Sequence, residues 1–241
     1  MKEKMKVVVI NSSPHKDKGN TALILNPFVE GMKEKGAEVE VYYPGELKIN
    51  PCHGDMTCMM STGKCHQDDD MKWLLPNIAE SNIIVFASPL YCDGVSGPMK
   101  MLMDRLPPMA YLTMEIRNDR LRHPLREGWN VKKAVLVSNC GFWEMENFEP
   151  MKNHIKAFCN NMNAKYAGEL LRPHGPVLRA MIENNMPADD VIESARKAGH
   201  ELIENGKISS ETMDNVSRPL VPRDTFLQVA NQHLQNRTEE N

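Results

Sequence analysis

Short runs of consecutive apolar residues alternate along the chain with longer segments in which apolar residues recur every three or four positions. The short runs are typical of strands buried on both faces of a parallel sheet, and the longer spacing is typical of helices that cover it. The pattern therefore predicts an α/β fold. The predicted strands cover residues 6–10, 39–43, 83–87, 134–138 and 166–171.

Helical spacing accounts for most of the chain between these runs. The acidic residues 68–70 are interpreted as caps of one helix, and Ser96 is predicted to be the N-cap of another, with Pro98 in its first turn. The stretch 106–130 is longer than a usual connection, so we predict an insertion and a candidate interface. Residues 1–205 are predicted to form one domain and residues 206–241 a C-terminal arm. The predicted helices cover residues 21–35, 68–78, 96–106, 151–162 and 191–202.

The composition is that of an ordinary globular protein and removes several classes of function. The chain has 241 residues, 41% hydrophobic and 25% charged, which excludes a disordered chain. Its 29 Lys and Arg nearly balance 32 Asp and Glu, so charge does not favour nucleic acid as a partner. No apolar run reaches the roughly 20 residues of a membrane-spanning helix, and residues 1–6 do not resemble a signal peptide. We expect a cytoplasmic protein that binds neither nucleic acid nor membrane.

The first predicted strand is followed by a polar loop, residues 11–21, that leads directly into a helix. Backbone N–H groups and the positive end of the helix dipole favour an anion at such a junction. Side chains of Ser13, Asn20 and Thr21 add donors, and His15 adds charge. The loop has neither the G-x-G-x-x-G of dinucleotide sites nor the G-K-[ST] of NTPases, so it suits a phosphate that is held and not transferred. An ordinary capped turn fits the loop equally well.

Two further loops are predicted at the same edge of the sheet, where open parallel sheets bind their ligands. Residues 88–96 follow the third strand, and residues 138–143 follow the fourth. Backbone amides from Leu90 to Gly94 are placed to hydrogen-bond a heteroaromatic ring, with Tyr91 beside it. Gly94 allows the backbone to approach such a ring closely. The three loops together favour a ligand with a phosphate and an aromatic ring.

Three motifs in this order resemble the flavodoxin-like NAD(P)H-dependent FMN reductases. They are S-P-x-x-x-x-G-N-T after the first strand, S-P-x-Y after the third, and K-x-x-x-D-R at Lys100, Asp104 and Arg105. The cysteine-rich loop between them is similar to that of the iron–sulfur flavoprotein branch. The resemblance covers residues 6–171 and implies a flavodoxin-like, doubly wound five-stranded parallel sheet of order 2-1-3-4-5 with helices on both faces. It also implies bound FMN, hydride uptake from NAD(P)H and a homodimer or homotetramer.

Carried over by position, the resemblance implies two groups of cofactor-binding residues, one for the FMN phosphate and one for the isoalloxazine. His15 stands where the family usually has Arg, which loses a bidentate phosphate contact. Cys92 stands where an aromatic residue is common. The phosphate group consists of Ser13, His15, Asn20 and Thr21, and the ring group consists of Pro89, Leu90, Tyr91, Cys92, Asp93, Gly94, Asn139, Cys140 and Gly141.

Three of the six cysteines lie in one short segment, which favours metal, cluster or redox chemistry over disulfides in a cytosolic chain. The related flavoproteins use C-x-x-C-x-x-C and a fourth cysteine, and here the second position is Asp55. The resemblance implies a [4Fe–4S] or [3Fe–4S] cluster. Two alternatives remain open, namely free thiols, or zinc held by the cysteines with His53 or His66. The implied cluster ligands are Cys52, Asp55, Cys58 and Cys65.

The first hypothesis for function is an FMN-dependent NAD(P)H oxidoreductase. It passes reducing equivalents from a nicotinamide through FMN to a second acceptor, which is a small molecule or a protein. Because the flavin carries the chemistry and the protein supplies orientation and electrostatics, no side chain is assigned as a catalytic acid or base. The alternative is an iron–sulfur flavoprotein that carries electrons for a ferredoxin-like partner. A flavin-free binding module is a third hypothesis.

Overall fold

The computed structural model describes residues 4–239, and a parallel sheet lies at its centre. The described residues do not include residues 1–3, at the start of the predicted domain, or residues 240–241, at the end of the predicted arm. The strands are, in chain order, β1 (Lys6–Asn11), β2 (Glu38–Tyr42), β3 (Ile83–Pro89), β4 (Glu115–Arg117), β5 (Arg120–Arg122), β6 (Lys133–Asn139) and β7 (Lys165–Arg172).

The sheet has five parallel strands in the order β2-β1-β3-β6-β7, while β4 and β5 form a separate antiparallel hairpin. Counted over the five sheet strands, this is the predicted order 2-1-3-4-5, which is confirmed. Nearly every residue of β1, β3 and β6 is buried, because helices cover both faces of these central strands.

Helices connect the strands and pack on both faces of the sheet. None of those in the described part of the chain is long and apolar enough to cross a bilayer. The helices are α1 (Ala22–Glu34), α2 (Thr57–Met60), α3 (Met71–Glu80), α4 (Gly97–Asp104), α5 (Glu149–Asn161), α6 (Gly175–Glu183), α7 (Asp189–Asn205), α8 (Ser210–Ser217) and α9 (Arg223–Glu239). The helices α2, α6, α8 and α9 fall in segments where the sequence pattern predicts none.

Two apolar clusters, one on each face of the sheet, hold these layers together. On one face the backbones of α1 and α7 touch, because glycines stand where the helices meet. A Cβ atom on Gly31 would lie 2.1 Å from the carbonyl oxygen of Arg196. One on Gly199 would lie 2.3 Å from the carbonyl oxygen of Phe28. The two helices can therefore approach this closely only because Gly31 and Gly199 have no side chain.

Residues 68–70 do more than cap a helix, which corrects the interpretation from the sequence. Asp69 and Arg105 form a fully buried ion pair with two hydrogen bonds, of 2.5 and 3.0 Å. Asp69 also accepts the backbone N–H of Asn50 at 3.0 Å. Burial raises the pKa of Asp69, but the hydrogen bonds from Arg105 and Asn50 outweigh it and hold that pKa below its usual value. Asp69 therefore joins the start of α3 to the end of α4.

The predicted insertion, residues 106–130, contains the hairpin of β4 and β5. Ile116 and Leu121 of the hairpin are 77% and 64% exposed. An apolar cavity of about 400 Å³ lies between the hairpin, α2 and the ends of α4 and α5. Lys100 and Asp104, from the third motif, form an exposed ion pair on α4. The insertion thus presents an apolar surface, as expected of an interface.

The first part of the predicted arm packs on the sheet. Val216 of α8 is fully buried in the same apolar cluster as α1 and α7. Arg172, buried at the end of β7, donates to the carbonyl oxygens of Val216, Ser217 and Arg218 at the C-terminal end of α8. A positive charge complements the helix dipole at that end. Arg172 therefore fixes α8 against the sheet.

Candidate functional site

The carboxyl ends of β1, β3 and β6 lie side by side, so the three predicted loops meet at one edge of the sheet. In the sheet register, Asn11 lies opposite Ala87, and Pro89 lies opposite Asn139. The predicted phosphate residues follow β1, and the predicted ring residues follow β3 and β6. Ligands of open α/β sheets bind at this edge, where the strand order reverses.

The loop after β1 leaves several donors free. Ser13 and Thr21 are buried, Asn20 is half-buried and His15 is exposed. The backbone N–H groups of Asn20 and Thr21 have no acceptor among the described residues, and they lie where the dipole of α1 favours an anion. The side-chain Nδ2 of Asn11 is also buried with no partner in the described part of the chain. Such unpaired donors fit a bound phosphate group, because buried donors are otherwise hydrogen-bonded.

Buried hydrogen bonds connect the three loops. Thr21 donates its hydroxyl to Oδ1 of Asn139 at 2.5 Å, which joins the first loop to the end of β6. Ser96, found at the predicted N-cap position of α4, bonds to no helix amide through its side chain. Its hydroxyl lies 2.8 Å from that of Ser12 instead, and its backbone N–H donates to Ser88 Oγ at 2.9 Å. These buried hydrogen bonds therefore fix the distance between the loop predicted to bind the phosphate and the two loops predicted to bind the ring.

The loop after β3 makes a tight turn from Tyr91 to Gly94. Cys92 and Asp93 at its centre have φ values of 48° and 61°, as in the turns of hairpins. The amides of Tyr91 and Gly94 bond to each other's carbonyl groups, and Leu90 donates to the backbone of β6. Within the described chain, the N–H groups of Cys92 and Asp93 therefore remain unpaired. Of the backbone amides from Leu90 to Gly94 that were predicted to bond the ring, only these two have no partner among the described residues.

The loops after β3 and β6 each expose an aromatic side chain beside the predicted ring position. Tyr91 is 49% exposed and Phe142 is 64% exposed. Gly141 is exposed as well, whereas Cys140 is buried and its thiol donates to the Phe142 carbonyl oxygen at 3.3 Å. Burial raises the pKa of the Cys140 thiol, so it packs as a neutral group. Exposed aromatic rings at this edge suit contact with a planar ligand.

The structure adds α6 to the site, which sequence reasoning missed. A Cβ atom on Gly175 would lie 2.9 Å from Nδ2 of Asn139 and 3.4 Å from Cβ of Asn20. Arg179, one helical turn further on, donates to Oδ1 of Asn20 and to the carbonyl oxygen of Lys18, both at 2.6 Å. The Gly-Pro pair that opens α6 is the signal that could have found this helix, since Pro is favoured at the first helical position.

His174, just before α6, was also missed. It is buried, stacks on Trp143 at 6.3 Å between ring centroids, and lies 5.9 Å from the ring of Phe226. Its Nε2 atom accepts the backbone N–H of Leu220 at 3.1 Å. Burial, together with the charge of Arg172, lowers the pKa of His174 to about 4. A neutral imidazole therefore joins the loop after β6 to the C-terminal arm.

We expect the protein to lose stability as the pH falls from about 6.5 to about 4. The pKa of His174 is lower in the folded chain than the usual value of about 6.5. The unfolded chain therefore binds more protons in this range, and stability falls with pH. Guanidinium unfolding as a function of pH measures this slope. The slope should shrink in His174→Phe and persist in His53→Gln, a change of an exposed histidine; equal slopes in all three proteins would contradict the account.

The cysteine loop, residues 51–66, folds against the end of α4. Sγ of Cys65 lies 3.4 Å from a guanidinium nitrogen of Arg105. Burial and the neighbouring thiols of Cys65 and Cys52 raise the pKa of Cys58. The three cysteines predicted as cluster ligands are free thiols.

Asp55, the fourth predicted cluster ligand, is held by other groups. One carboxylate oxygen accepts both the backbone N–H and the hydroxyl of Thr57, at 3.0 and 2.8 Å. The other oxygen lies 3.7 Å from Nδ1 of His66. A [4Fe–4S] cluster takes four thiolates, and this loop offers three. The residues present do not fit that cluster, which leaves the [3Fe–4S] cluster of the two predicted.

Comparison of the sequence with known proteins finds a matching family and several relatives. The family described as NADPH-dependent FMN reductase matches residues 5–171. An iron–sulfur flavoprotein of Methanocaldococcus jannaschii is 37% identical over 114 residues, which cover 47% of this chain and 58% of that protein. An iron–sulfur flavoprotein of Archaeoglobus fulgidus is 37% identical over 107 residues, which cover 44% and 48%. The chain thus spans about half the length of the curated relatives it matches.

Comparison with solved structures supports the fold. An NAD(P)H:quinone oxidoreductase from Methanothermobacter marburgensis aligns with a TM-score of 0.58 and 18% identity. The alignment covers 83% of this chain and 98% of that one. At this identity the likeness concerns the fold alone, and it confirms the predicted flavodoxin-like class.

Proposed function

The chain belongs to the NADPH-dependent FMN reductase family, and from that membership we propose that it is an FMN-dependent oxidoreductase. When bound, FMN supplies the redox chemistry, which is uptake of a hydride from NAD(P)H and its passage to a small-molecule or protein acceptor. One observation carries the proposal: three loops meet at one sheet edge, are joined by buried hydrogen bonds, and leave donors unpaired.

The first loop supplies the groups for the phosphate. Among the residues that the structure describes, the N–H groups of Asn20 and Thr21 and the Nδ2 atom of Asn11 have no partner, and the dipole of α1 adds positive potential. Ser13 is buried beside them, and its hydroxyl accepts the N–H of His15 at 3.3 Å. These groups are hydrogen-bond donors and a helix dipole, which suit a phosphate group held in place.

Arg179, which also lies 3.6 Å from a carboxylate oxygen of Glu183, adds a guanidinium to this loop, and we expect Arg179→Gln to weaken FMN binding about tenfold. Its guanidinium holds Asn20 and the carbonyl of Lys18 in place, and a hydrogen bond to a charged group contributes about 1.5–3 kcal/mol. Fluorescence titration of the apoprotein with FMN measures the effect. Arg196→Gln, which removes an exposed arginine paired with glutamates on α1, should leave FMN affinity unchanged. Equal affinity in both variants would contradict this role.

The loops after β3 and β6 orient the ring. The free N–H groups of Cys92 and Asp93 are donors for its polar edge, and Tyr91 and Phe142 flank it. An open groove of about 440 Å³, lined in part by Asp93, Glu144 and Glu146, adjoins this region. Its carboxylates favour neutral or cationic acceptors over anionic ones.

The flavin spectrum of protein purified without air tests the proposal. We expect FMN absorption that bleaches on addition of NADH or NADPH and returns when an acceptor such as a quinone is added. A colourless protein that takes up no FMN from excess would contradict the proposal. Bound FMN that neither nicotinamide reduces would contradict the oxidoreductase assignment while leaving the binding site intact.

A second candidate is an electron carrier with an iron–sulfur cluster and a ferredoxin-like partner. The names of the curated relatives and the presence of three free thiols in one loop favour it. The position of Asp55 on Thr57 and His66 counts against a four-iron cluster. Stoichiometric iron and acid-labile sulfide bound to the purified protein would favour the carrier, and their absence would favour the reductase.

The exposed apolar hairpin supports the proposal that the insertion contacts a second copy of this chain. Met114, Ile116 and Leu121 are each more than half exposed, which is costly for a free surface. Light scattering should give the mass of a homodimer or homotetramer, and the mass of a single chain would contradict the proposal.

A further inference from the structure

The cysteine loop carries donors that neither the flavin site nor a four-thiolate cluster uses. Ligand atoms of His53, Asp55 and His66 all lie within 4.8 Å of one another, and the two histidine rings are 5.5 Å apart. Nδ1 of His66 is 3.7 Å from Oδ2 of Asp55. Bonds of roughly 2.1 Å place neighbouring ligands of a tetrahedral ion about 3.4 Å apart. A small contraction of exposed side chains therefore completes three positions of such a shell.

The carboxylate is already oriented for this role. Thr57 holds one oxygen of Asp55 with two hydrogen bonds, and the other oxygen faces His66. Metal-binding carboxylates are commonly held in this way by neighbouring groups. Among the described side chains, Asp55 is the group paired with His66, and no hydrogen bond engages the ring nitrogens of His53. The imidazole nitrogens are thus free to act as ligands.

The loop that carries these donors is held on the protein. Arg105 donates to the carbonyl oxygen of Asn50 at 2.7 Å, just before the loop begins. Arg126 of the insertion donates to the carbonyl oxygens of Met59 and Ser61 at 3.0 and 2.9 Å. Because these contacts fix the backbone of the loop, binding of a metal needs to order only the ligand side chains and not the whole loop.

We propose that the cysteine loop binds one divalent metal ion of the zinc class through His53, Asp55 and His66, with water in the remaining position. Imidazole and carboxylate donors suit zinc and its neighbours in the first transition row, whereas thiolates hold iron–sulfur clusters. Asp55 supplies a hard oxygen donor between the two histidines of this loop. The assignment stands apart from the FMN site and does not depend on it.

The test is metal uptake by the whole 241-residue chain, with any bound FMN retained. After chelation and desalting, calorimetric titration should show one Zn²⁺ bound per chain, and Co²⁺ should give the visible absorption of a site with nitrogen and oxygen ligands. His53→Gln and His66→Gln should each weaken Zn²⁺ binding more than about 100-fold, and Thr57→Val about tenfold. Unchanged FMN content in each variant shows that the fold is intact.

Two controls make the result decisive. His200→Gln removes a histidine on α7 that pairs with a glutamate of α1, and it should leave Zn²⁺ uptake unchanged. The variant with Cys52, Cys58 and Cys65 all replaced by serine should still bind Zn²⁺. Uptake that survives loss of both loop histidines, or that disappears with the cysteines, would overturn the proposal. So would stoichiometric iron and acid-labile sulfide in the purified protein.

Discussion

Asp69→Ala should lower the free energy of unfolding by about 3–5 kcal/mol, the range expected when one partner of a buried ion pair is removed. The Arg105 guanidinium, whose side chain is 1% exposed, would then be a buried charge with no carboxylate. The N–H of Asn50 would also lose its acceptor. Denaturant unfolding at neutral pH measures the change.

The neighbouring carboxylate is a matched control for this result. Asp68, just before α3, forms an exposed ion pair with Lys72 of that helix, and such pairs contribute about 0–1 kcal/mol. Asp68→Ala should therefore have little effect on unfolding. A loss in Asp69→Ala no larger than that in Asp68→Ala would contradict the role of the buried pair.

Acid should remove the same stabilisation. The pKa of Asp69 is lowered in the folded chain, so its contribution is complete above the unfolded value of about 3.9 and is lost as the pH falls below it. Asp69→Ala should flatten the acid limb of the stability curve below about pH 4.

Gly199→Ala should lower the free energy of unfolding by about 1–3 kcal/mol, although alanine favours an isolated helix by about 1 kcal/mol. The new Cβ atom would lie 2.3 Å from the carbonyl oxygen of Phe28 and 2.7 Å from the N atom of Met32. Because both are backbone atoms of α1, the two helices must separate. Gly45→Ala, where no atom lies within 4 Å of the added Cβ, should change stability little. A stabilised Gly199→Ala protein would contradict the close packing of α1 and α7.

The sheet could be predicted from the sequence because its signal is local. Each buried strand is a run of adjacent apolar residues, such as Val7 to Ile10, and the loops that follow strands carry the polar motifs. The order of the strands came from the family resemblance, since pairing between distant segments leaves no local pattern. The tight turn at Cys92 and Asp93 was missed because neither residue is a glycine, although both have positive φ.

The missed parts of the site depend on contacts between distant residues. Arg179 lies 159 positions after the asparagine that accepts its hydrogen bond, and no spacing in the sequence indicates that contact. His174 was missed because its role follows from its burial between the loop after β6 and the arm. Asp69 is one of three consecutive aspartates, so nothing in the sequence sets it apart from its neighbours. In the structure Asp69 is buried and Asp68 is exposed.

The central claim is that one edge of the sheet holds FMN by its phosphate and its ring together. Titration of the apoprotein with FMN and with riboflavin, which lacks the phosphate, tests it most directly. We predict that FMN binds at least about 100-fold more tightly, a difference of about 2.7 kcal/mol, and that riboflavin competes for the same site. Equal affinity for the two flavins, or no binding of either, would contradict the account.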